Sequence, residues 1–191
     1  MVLSNVGIEK AISEGIIEIK PLPPLKETTL DTTALNLRLG NTLSIPKKDL
    51  SLSFDLKQGK IISTLSSIYV QKEIPSQGYP LEPYQFVLAN TMEYISLNIK
   101  KGKPCYAARV EGKSSLARCG LLIHFTAPTI HAGFSGSITL ELMNLGQYPI
   151  ILRPGMQICQ LIFETVEGKI TPKESQFHLQ KTPEGKRQQN Y

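Results

Sequence analysis

Residues 34–39 read Ala-Leu-Asn-Leu-Arg-Leu, and this strict alternation of apolar and polar side chains predicts a half-buried β-strand. Gly40-Asn41 follows it and predicts a turn. Outward from this stretch, short apolar or alternating runs recur, and Gly, Pro or Asn separates most of them. Many short strands with turns between them are typical of a β-sandwich or barrel. The other strand-like runs are Ile61 to Val70, Gln85 to Asn90, Tyr94 to Leu97, Cys105 to Val110, Leu121 to Phe125, Ser137 to Met143, Ile150 to Leu152 and Met156 to Phe163.

Helical signals are confined to two places. Ser4 predicts an N-cap for a helix over residues 5–13, which Gly15 would end. Residues 16–19 then favour an extended chain. Between strand-like runs, two serines followed by helix formers predict a second, short helix over residues 114–119. The fold class is therefore all-β with two short helices.

Length and composition indicate one globular domain. The chain has 191 residues, 41% of them hydrophobic and 19% charged, which is ordinary for a globular protein. We place the barrel domain at residues 1–165. Residues 166–191 are polar and contain Pro172, Pro183 and Gly185. They predict a C-terminal tail that folds over another part of the protein, rather than a separate domain. The formal net charge of +5 fits an anionic ligand, but no basic run is long enough for a nucleic-acid arm.

The cysteines and the apolar segments bear on location. Cys105, Cys119 and Cys159 are odd in number and widely spaced, which argues against a disulfide framework and favours a reducing compartment. The N-terminus has no signal-peptide pattern, and no apolar run approaches the length of a membrane span. We therefore expect a cytoplasmic protein without membrane or nucleic-acid partners.

Residues 111–118 read Glu-Gly-Lys-Ser-Ser-Leu-Ala-Arg and offer two hydroxyls, two cations and the N–H groups of a helix start. These groups together favour phosphate binding, although a surface helix with solvated charges is an equal alternative. The Gly-x4-Gly-Lys spacing of a Walker A loop is absent.

Glu141 lies in the apolar strand-like run of residues 138–144. If the strand alternates, its carboxylate faces away from Leu140 and Leu142, on a solvent face or in a site that uses the carboxylate. Residues 126–136 contain one proline, two glycines and His131, and they predict a tight, rigid hairpin. A lone histidine there is more often structural or exposed than catalytic.

Several catalytic signatures are missing from the sequence. The zinc-deaminase pattern H-x-E with P-C-x-x-C does not occur, and the three histidines and three cysteines lack metal-ligand spacing. G-x-S-x-G, GxGxxG and HExxH are absent too. Any hydrolysis would therefore rely on a carboxylate-activated water or on a divalent ion carried by substrate phosphates.

These segments resemble dCTP deaminase, of the dCTP deaminase / dUTPase superfamily. Residues 111–118 with the following Cys-Gly-Leu match the family motif G-[RK]-S-S-L-A-R-x-G-L. Thr126-Ala127, Gly133-Phe134-Ser135-Gly136 and Ile138 to Glu141 follow at the family's spacing, and Arg153-Pro154-Gly155-Met156 and Gln160-Leu161 match a later motif. The resemblance covers nearly the whole chain. It implies a distorted, dUTPase-like β-barrel (a β-clip or jelly roll) and a homotrimer with active sites between subunits.

The resemblance also implies residue roles in a deaminase that needs no zinc. Glu141 would be the general acid/base, while Ser114 and the carbonyl of Ala127 would hold the attacking water. Arg118 would balance charge beside Glu141 and the phosphates. The nucleotide-binding residues would be Lys113, Ser114, Ser115, Leu116, Ala117, Arg118, His131, Thr139, Leu140, Gln176 and Gln180, with Mg²⁺ bound only through the triphosphate of a pyrimidine deoxynucleotide.

The chain departs from the family pattern at four points. His131 stands where an Asp holds the sugar 3′-hydroxyl, and Asn36 replaces an Asp in the early strand. The tail lacks the usual Tyr and is short, and Gln176 stands where a phosphate-binding Lys is expected. Sugar discrimination and closure over the triphosphate depend on these positions.

Three functions are compatible with the sequence. The leading hypothesis is deamination of dCTP to dUTP and ammonia, with Glu141 as the catalytic carboxylate. The second is dUTP diphosphatase activity, or a bifunctional enzyme that forms dUMP. The third is a non-catalytic trimer that binds a nucleotide or a protein partner.

Overall fold

The structure is a computed structural model that describes residues 1–26, 29–48, 61–172, 179–180 and 182–184. Three helices and eleven strands are present in these ranges. The helices are α1 (Asn5–Ser13), α2 (Ile61–Ile68) and α3 (Ser114–Ala117). The strands are β1 (Ile17–Lys20), β2 (Leu35–Pro46), β3 (Tyr69–Glu73), β4 (Tyr79–Leu81), β5 (Phe86–Leu97), β6 (Tyr106–Gly112), β7 (Leu121–Leu122), β8 (Thr129–Ile130), β9 (Ser135–Asn144), β10 (Ile150–Leu152) and β11 (Gln157–Thr165).

Nine strands form one antiparallel sheet in the order β7-β9-β5-β2-β11-β6-β8, with β1 added to β5 and β3 added to β2. The long strands β2 and β5 each change partners along their length, and each has a register shift where it does so. The sheet curls into a half-barrel. The mostly-β fold is thus confirmed, whereas closure into a complete barrel and assembly into a trimer stay predictions.

The core is one cluster of buried side chains, mainly Leu, Ile and Val, packed on one face of the curled sheet. Alternation decides which side chains enter it: Leu35, Leu37 and Leu39 are fully buried along β2, and Leu140 and Leu142 are fully buried along β9. The intervening residues of both strands face the other side. This second face carries the polar side chains of interest.

The N-terminal prediction is confirmed in detail. α1 spans Asn5–Ser13, and the Ser4 hydroxyl accepts a hydrogen bond from the N–H of Gly7 at 3.2 Å, as an N-cap does. Gly15, with a φ of 64°, follows the helix end. The second predicted helix is shorter than residues 114–119, because α3 ends at Ala117 after a single turn.

Three local predictions were wrong. Residues 61–68 form a helix, and the strand begins only at Tyr69. Gly40-Asn41 is no turn but part of β2, at its register shift. Residues 126–136 are no hairpin, because β8 pairs with β6 while β9 pairs with β5 and β7.

The described part of the tail returns to the sheet. The Leu179 N–H donates to the Ser135 carbonyl at 2.7 Å, and the Ser137 N–H donates to the Gln180 carbonyl at 3.2 Å. Residues 179 and 180 therefore lie along the first half of β9. In the described ranges, no helix has the length and apolar character needed to cross a membrane.

Candidate functional site

A cavity of about 590 Å³ opens beside α3. One wall is the stretch 111–115 with Ala117, and the other is the stretch 121–125. Asp31 and Gln160 complete the lining. The cavity thus contains the hydroxyl- and cation-bearing segment that the sequence indicated as a phosphate site.

Lys113 is held across the sheet rather than along its own strand. Its ammonium donates to the Asn36 amide oxygen at 2.5 Å, and the Asn36 amide nitrogen donates to the Asp31 carboxylate at 3.0 Å. Asn36 is 2% exposed, so its amide is committed to the protein interior. The three side chains form a hydrogen-bonded series that ends at the cavity.

The register explains why these distant residues meet. Gln160 of β11 lies opposite Asn36 of β2 and opposite Glu111 of β6, so the three form one row across the face that points away from the core. Neighbouring strands are about 4.8 Å apart, and Lys113 follows β6 by one residue. The Lys113 and Asn36 side chains together therefore bridge roughly 10 Å, two strand spacings.

The other residues of α3 have different surroundings. Ser114, Ser115 and Ala117 are exposed and line the cavity, whereas Leu116 packs against the hydrophobic core. Arg118 is exposed and does not line the cavity. A four-residue helix has almost no macrodipole, so any anion here would depend on side chains and individual N–H groups.

Glu141 lies on the outer face of β9, as its alternation with Leu140 and Leu142 predicted. It is half-buried, and its carboxylate accepts a hydrogen bond from the Phe125 N–H at 2.9 Å. Phe125 is a lining residue of the cavity, but Glu141 itself is not. The candidate base and the cavity are thus adjacent and joined through one backbone donor.

Glu141 belongs to a second row of residues, which crosses the sheet from β9 to β3. Glu141 lies opposite Leu88 of β5, Leu88 opposite Ser44 of β2, and Ser44 opposite Gln71 of β3. The row is covered by the tail, because Ser44 and Gln71 both donate to the carboxylate of Glu184. Glu184 is 3% exposed.

Two titratable groups on this face have shifted pKa values. Burial alone would raise the pKa of the Glu184 carboxyl, but hydrogen bonds from Ser44 and Gln71 outweigh burial and hold it below its ordinary value. Burial raises the pKa of the Tyr69 phenol, and the Glu184 and Glu141 carboxylates raise it further. Tyr69 is therefore in electrostatic contact with both carboxylates.

The residues of β9 that are predicted to contact the nucleobase or the sugar also lie against the tail. The Thr139 hydroxyl donates to the Pro183 carbonyl at 3.3 Å, and the Gln180 side chain donates to the Ser137 carbonyl at 2.9 Å. Gln180 is almost fully buried. Leu140 is fully buried in the core, so only its backbone is available to a ligand.

The remaining predicted residues are not brought together within the chain. His131 and Ala127 are exposed and line no part of the cavity. Gln176 lies outside the described residues. In the described ranges, no cluster of three or more His, Cys, Asp or Glu side chains could hold a metal ion.

Sequence reasoning missed several residues near the site. Asp31 enters through a turn, which leaves no local signal. Gln160 enters through strand register; it lies in the later family motif but was not predicted as a site residue. His124 lines the cavity, and its buried Nδ1 has no hydrogen-bond partner in the described part of the chain. Its alternation with buried Leu121 and Ile123 was the signal that could have placed it on the outer face. Glu184 lies in the tail, where no pattern indicates burial.

Comparisons with known proteins identify the family of the chain and support its fold. The family described as dCTP deaminase-like matches residues 2–166. A protein of a Sulfurihydrogenibium species named dCTP deaminase, dUMP-forming, is 38% identical over 169 residues, which are 88% of this chain and 86% of that one. A protein of the same name from Dictyoglomus thermophilum is 35% identical over 193 residues, which are 98% of this chain and 94% of that one.

Two further matches extend the comparison. A protein of Thermomicrobium roseum named dCTP deaminase is 35% identical over 168 residues, which are 88% of this chain and 81% of that one. The crystal structure of 2′-deoxycytidine 5′-triphosphate deaminase from Agrobacterium tumefaciens superposes with a TM-score of 0.63 at 20% identity. That match covers 85% of this chain but 47% of the other, so this chain spans about half of it and the match supports the fold alone.

Proposed function

The chain belongs to the dCTP deaminase-like family, and on that premise we propose that it deaminates dCTP by attack of an activated water on the cytosine ring. One observation carries the proposal. The Glu141 carboxylate, half-buried on the outer face of β9, is bound by the N–H of a residue that lines the Lys113 cavity. A carboxylate fixed beside a cation- and hydroxyl-lined cavity has the groups that a metal-free deamination needs.

In the proposed reaction Glu141 removes a proton from water, and the resulting hydroxide adds to C4 of cytosine. The carboxyl group passes this proton to N3, then takes the proton of the new C4 hydroxyl and passes it to the amine. The C4–N4 bond breaks as the C4 carbonyl forms, so dCTP and water give dUTP and ammonia. Ser114 and the Ala127 carbonyl hold the water, and Arg118 balances charge near Glu141 and the phosphates. Thr139 and Leu140 contribute backbone contacts to the base or the sugar.

The triphosphate would bind at the Lys113 end of the site. Lys113, Ser114 and Ser115 supply charge-assisted and neutral donors there, and Mg²⁺ enters with the nucleotide as part of the substrate complex. Activity is expected to require Mg²⁺ and to survive a zinc-selective chelator. A requirement for added zinc would contradict this part of the proposal.

We propose that a homotrimer completes the site. Within one chain the cavity lacks Glu141, Arg118 and His131 in its lining. Phe125, Leu145 and Tyr148 are exposed apolar side chains near the same end of β9, and burial by another subunit would stabilise them. Light scattering should give three times the 21.2 kDa of one chain. A monomer with full deaminase activity would contradict this arrangement.

A second candidate, a bifunctional enzyme that continues from dCTP to dUMP, is favoured by the names of the relatives. Two of the three described above are named dUMP-forming. In that case the site would also direct water to the α-phosphorus of the deaminated nucleotide and release pyrophosphate. Both candidates share the deamination step and differ only in the fate of dUTP.

One assay separates the candidates. The purified protein is incubated with dCTP, CTP, dUTP or dCMP in the presence of Mg²⁺, and ammonia and pyrophosphate are measured together. Ammonia without pyrophosphate from dCTP supports the deaminase, and both products in equal amounts support the dUMP-forming enzyme. Pyrophosphate from dUTP alone would make it a diphosphatase. If calorimetry detects binding of dCTP but neither product forms, the protein is a non-catalytic nucleotide binder.

A further inference from the structure

Asn36 occupies an unusual position between a cation and an anion. Its amide oxygen accepts from the Lys113 ammonium at 2.5 Å, while its amide nitrogen donates to the Asp31 carboxylate at 3.0 Å. Lys113 and Asp31 both line the cavity. An amide can satisfy both partners at once because it has a donor end and an acceptor end, and burial at 2% exposure fixes its orientation.

From this geometry we propose that Asp31 and Asn36 are positioning residues that hold Lys113 for the triphosphate of the substrate. The inference rests on the proposed function and adds to it two residues that touch no reacting atom. Asn36 fixes the ammonium at the cavity without neutralising it, and Asp31 fixes Asn36. We name the three side chains the relay.

The chemistry of the middle residue is the important point. In the described part of the chain Lys113 makes no ion pair with a carboxylate. A lysine ammonium has three donors, and the bond to Asn36 uses one, so a phosphate can take others. A carboxylate in direct contact would compete with the phosphate for the same charge. A neutral amide orients Lys113 without that competition.

The order of charges in the relay gives a sharp test. Asn36→Asp places two carboxylates side by side with no donor between them, and one of them would pair directly with Lys113. Asp31→Asn removes the charged acceptor of the Asn36 amide. The double variant Asp31→Asn/Asn36→Asp restores the net charge and allows both hydrogen bonds again, because the new residue 31 amide can donate to the new residue 36 carboxylate. It differs from the unaltered chain only in the order of charges, with a carboxylate in direct contact with Lys113.

The expected results follow from the strength of hydrogen bonds to charged groups. Asn36→Asp should raise KM for dCTP about tenfold with kcat changed less, and Asp31→Asn should raise KM about fivefold. The double variant should keep KM raised about tenfold, close to Asn36→Asp, because its residue 36 carboxylate still pairs directly with Lys113. The melting temperature of every variant is measured as well, so that loss of folding is recognised.

Glu111→Gln is the matched control, since Glu111 lines the same cavity but lies outside the relay. Removing a negative charge from the cavity should strengthen triphosphate binding, so Glu111→Gln should lower KM, whereas Asp31→Asn raises it. If both variants lower KM, Asp31 acts only as a nearby charge and the relay is refuted. A double variant whose KM returned to that of the unaltered chain would show that a neutral amide at residue 36 is not needed, and would refute the relay as well.

A binding measurement keeps the relay separate from the proposed function. Calorimetry with inorganic tripolyphosphate and Mg²⁺ reports on Lys113 without any deamination, and the variants should weaken binding in the same order as they raise KM. If the variants bind tripolyphosphate in this order but no ammonia is released from dCTP, the proposed reaction is refuted and the relay is supported. If ammonia is released from dCTP but all variants bind tripolyphosphate equally well, the relay alone is refuted.

Discussion

The Lys113 cavity and the outer face of β9 carry the two halves of the candidate site, and they are built in different ways. The cavity takes its key groups from three consecutive residues, Lys113 to Ser115. The face around Glu141 takes its groups from β2, β3, β9 and the tail, brought together by register and by the return of residues 179–180 and 182–184. The candidate phosphate-binding groups are thus consecutive in the sequence, whereas the groups around Glu141 are brought together only by the folded sheet.

The largest expected effect tests the division of work between the two regions. Glu141→Gln should lower kcat for ammonia release about a thousandfold, equivalent to about 4 kcal/mol, because general acid/base catalysis is lost. KM for dCTP should change little, since the amide keeps the shape of the side chain and the cavity is untouched. Initial rates over a range of dCTP concentrations measure both constants.

The control for this change is Glu73→Gln, an exposed glutamate on β3. It should leave both constants as they are. If Glu141→Gln raised KM while kcat stayed constant, Glu141 would be a binding residue, and the contrast between the two regions would disappear.

How far the sequence predicted these regions follows from the same contrast. The Lys113 segment and the alternation that places Glu141 on the outer face were both visible, because each depends on residues close together in the chain. α2 was missed because residues 61, 65 and 68 are apolar at helical spacing, yet the run is also rich in isoleucine, as strands are. A short apolar run satisfies both patterns.

The other errors arose from contacts between distant segments. Gly40 predicted a turn, but a Cβ at this position would lie 3.0 Å from the Asn90 carbonyl, so the glycine allows β5 to approach β2 closely. Asp31 and Glu184 became recognisable only through partners 5 and 140 residues away, Asn36 and Ser44. Pairing of this kind is decided by the packed sheet, and no local pattern encodes it.

A second prediction concerns the joint between the two regions, by which we mean the close contact between Gly120 and Gly146. Gly120 has a φ of 90°, and a Cβ there would overlap the backbone of Gly146, just beyond the end of β9. Gly120→Ala should therefore destabilise the fold by about 2–4 kcal/mol, from the left-handed backbone and the overlap together. Urea unfolding measures the change. Because the joint carries α3, tripolyphosphate binding should weaken as well.

Gly102→Ala provides the comparison for this variant. Gly102 has a similar φ of 73°, but a Cβ there meets nothing within 4 Å. Gly102→Ala should lower the free energy of unfolding only through its left-handed backbone, by about 1–2 kcal/mol. Equal losses in the two variants would mean that the close approach of Gly120 to Gly146 contributes nothing.

The third prediction is the counterpart of the first. Lys113→Met should raise KM for dCTP about tenfold or more, because a charge-assisted bond to phosphate is lost, while kcat falls less than in Glu141→Gln. Lys72→Met on β3, which is exposed, corrects for the general loss of one positive charge. Similar changes in KM for the two lysine variants would show that Lys113 acts only through net charge.

The smallest expected effect concerns the tail that covers the Glu141 row. Glu184→Gln should reduce hydrogen-exchange protection of the Leu179 amide about fivefold, because a neutral amide is a weaker acceptor for Ser44 and Gln71 than a carboxylate. Glu167→Gln, an exposed position before the undescribed part of the tail, should leave protection unchanged.

The pH dependence of this protection makes the tail prediction specific. The pKa of Glu184 is lowered when the tail is docked, so the docked state binds fewer protons than the free tail. Its contribution is therefore complete above the ordinary carboxyl pKa near 4.5 and is lost as the pH falls through the lower, docked value. Protection of Leu179, corrected for intrinsic exchange, should fall in that acidic range in the unaltered chain and not in Glu184→Gln. The same fall in both would assign the acid sensitivity to another carboxylate, and the tail would then rest on β9 through its backbone bonds alone.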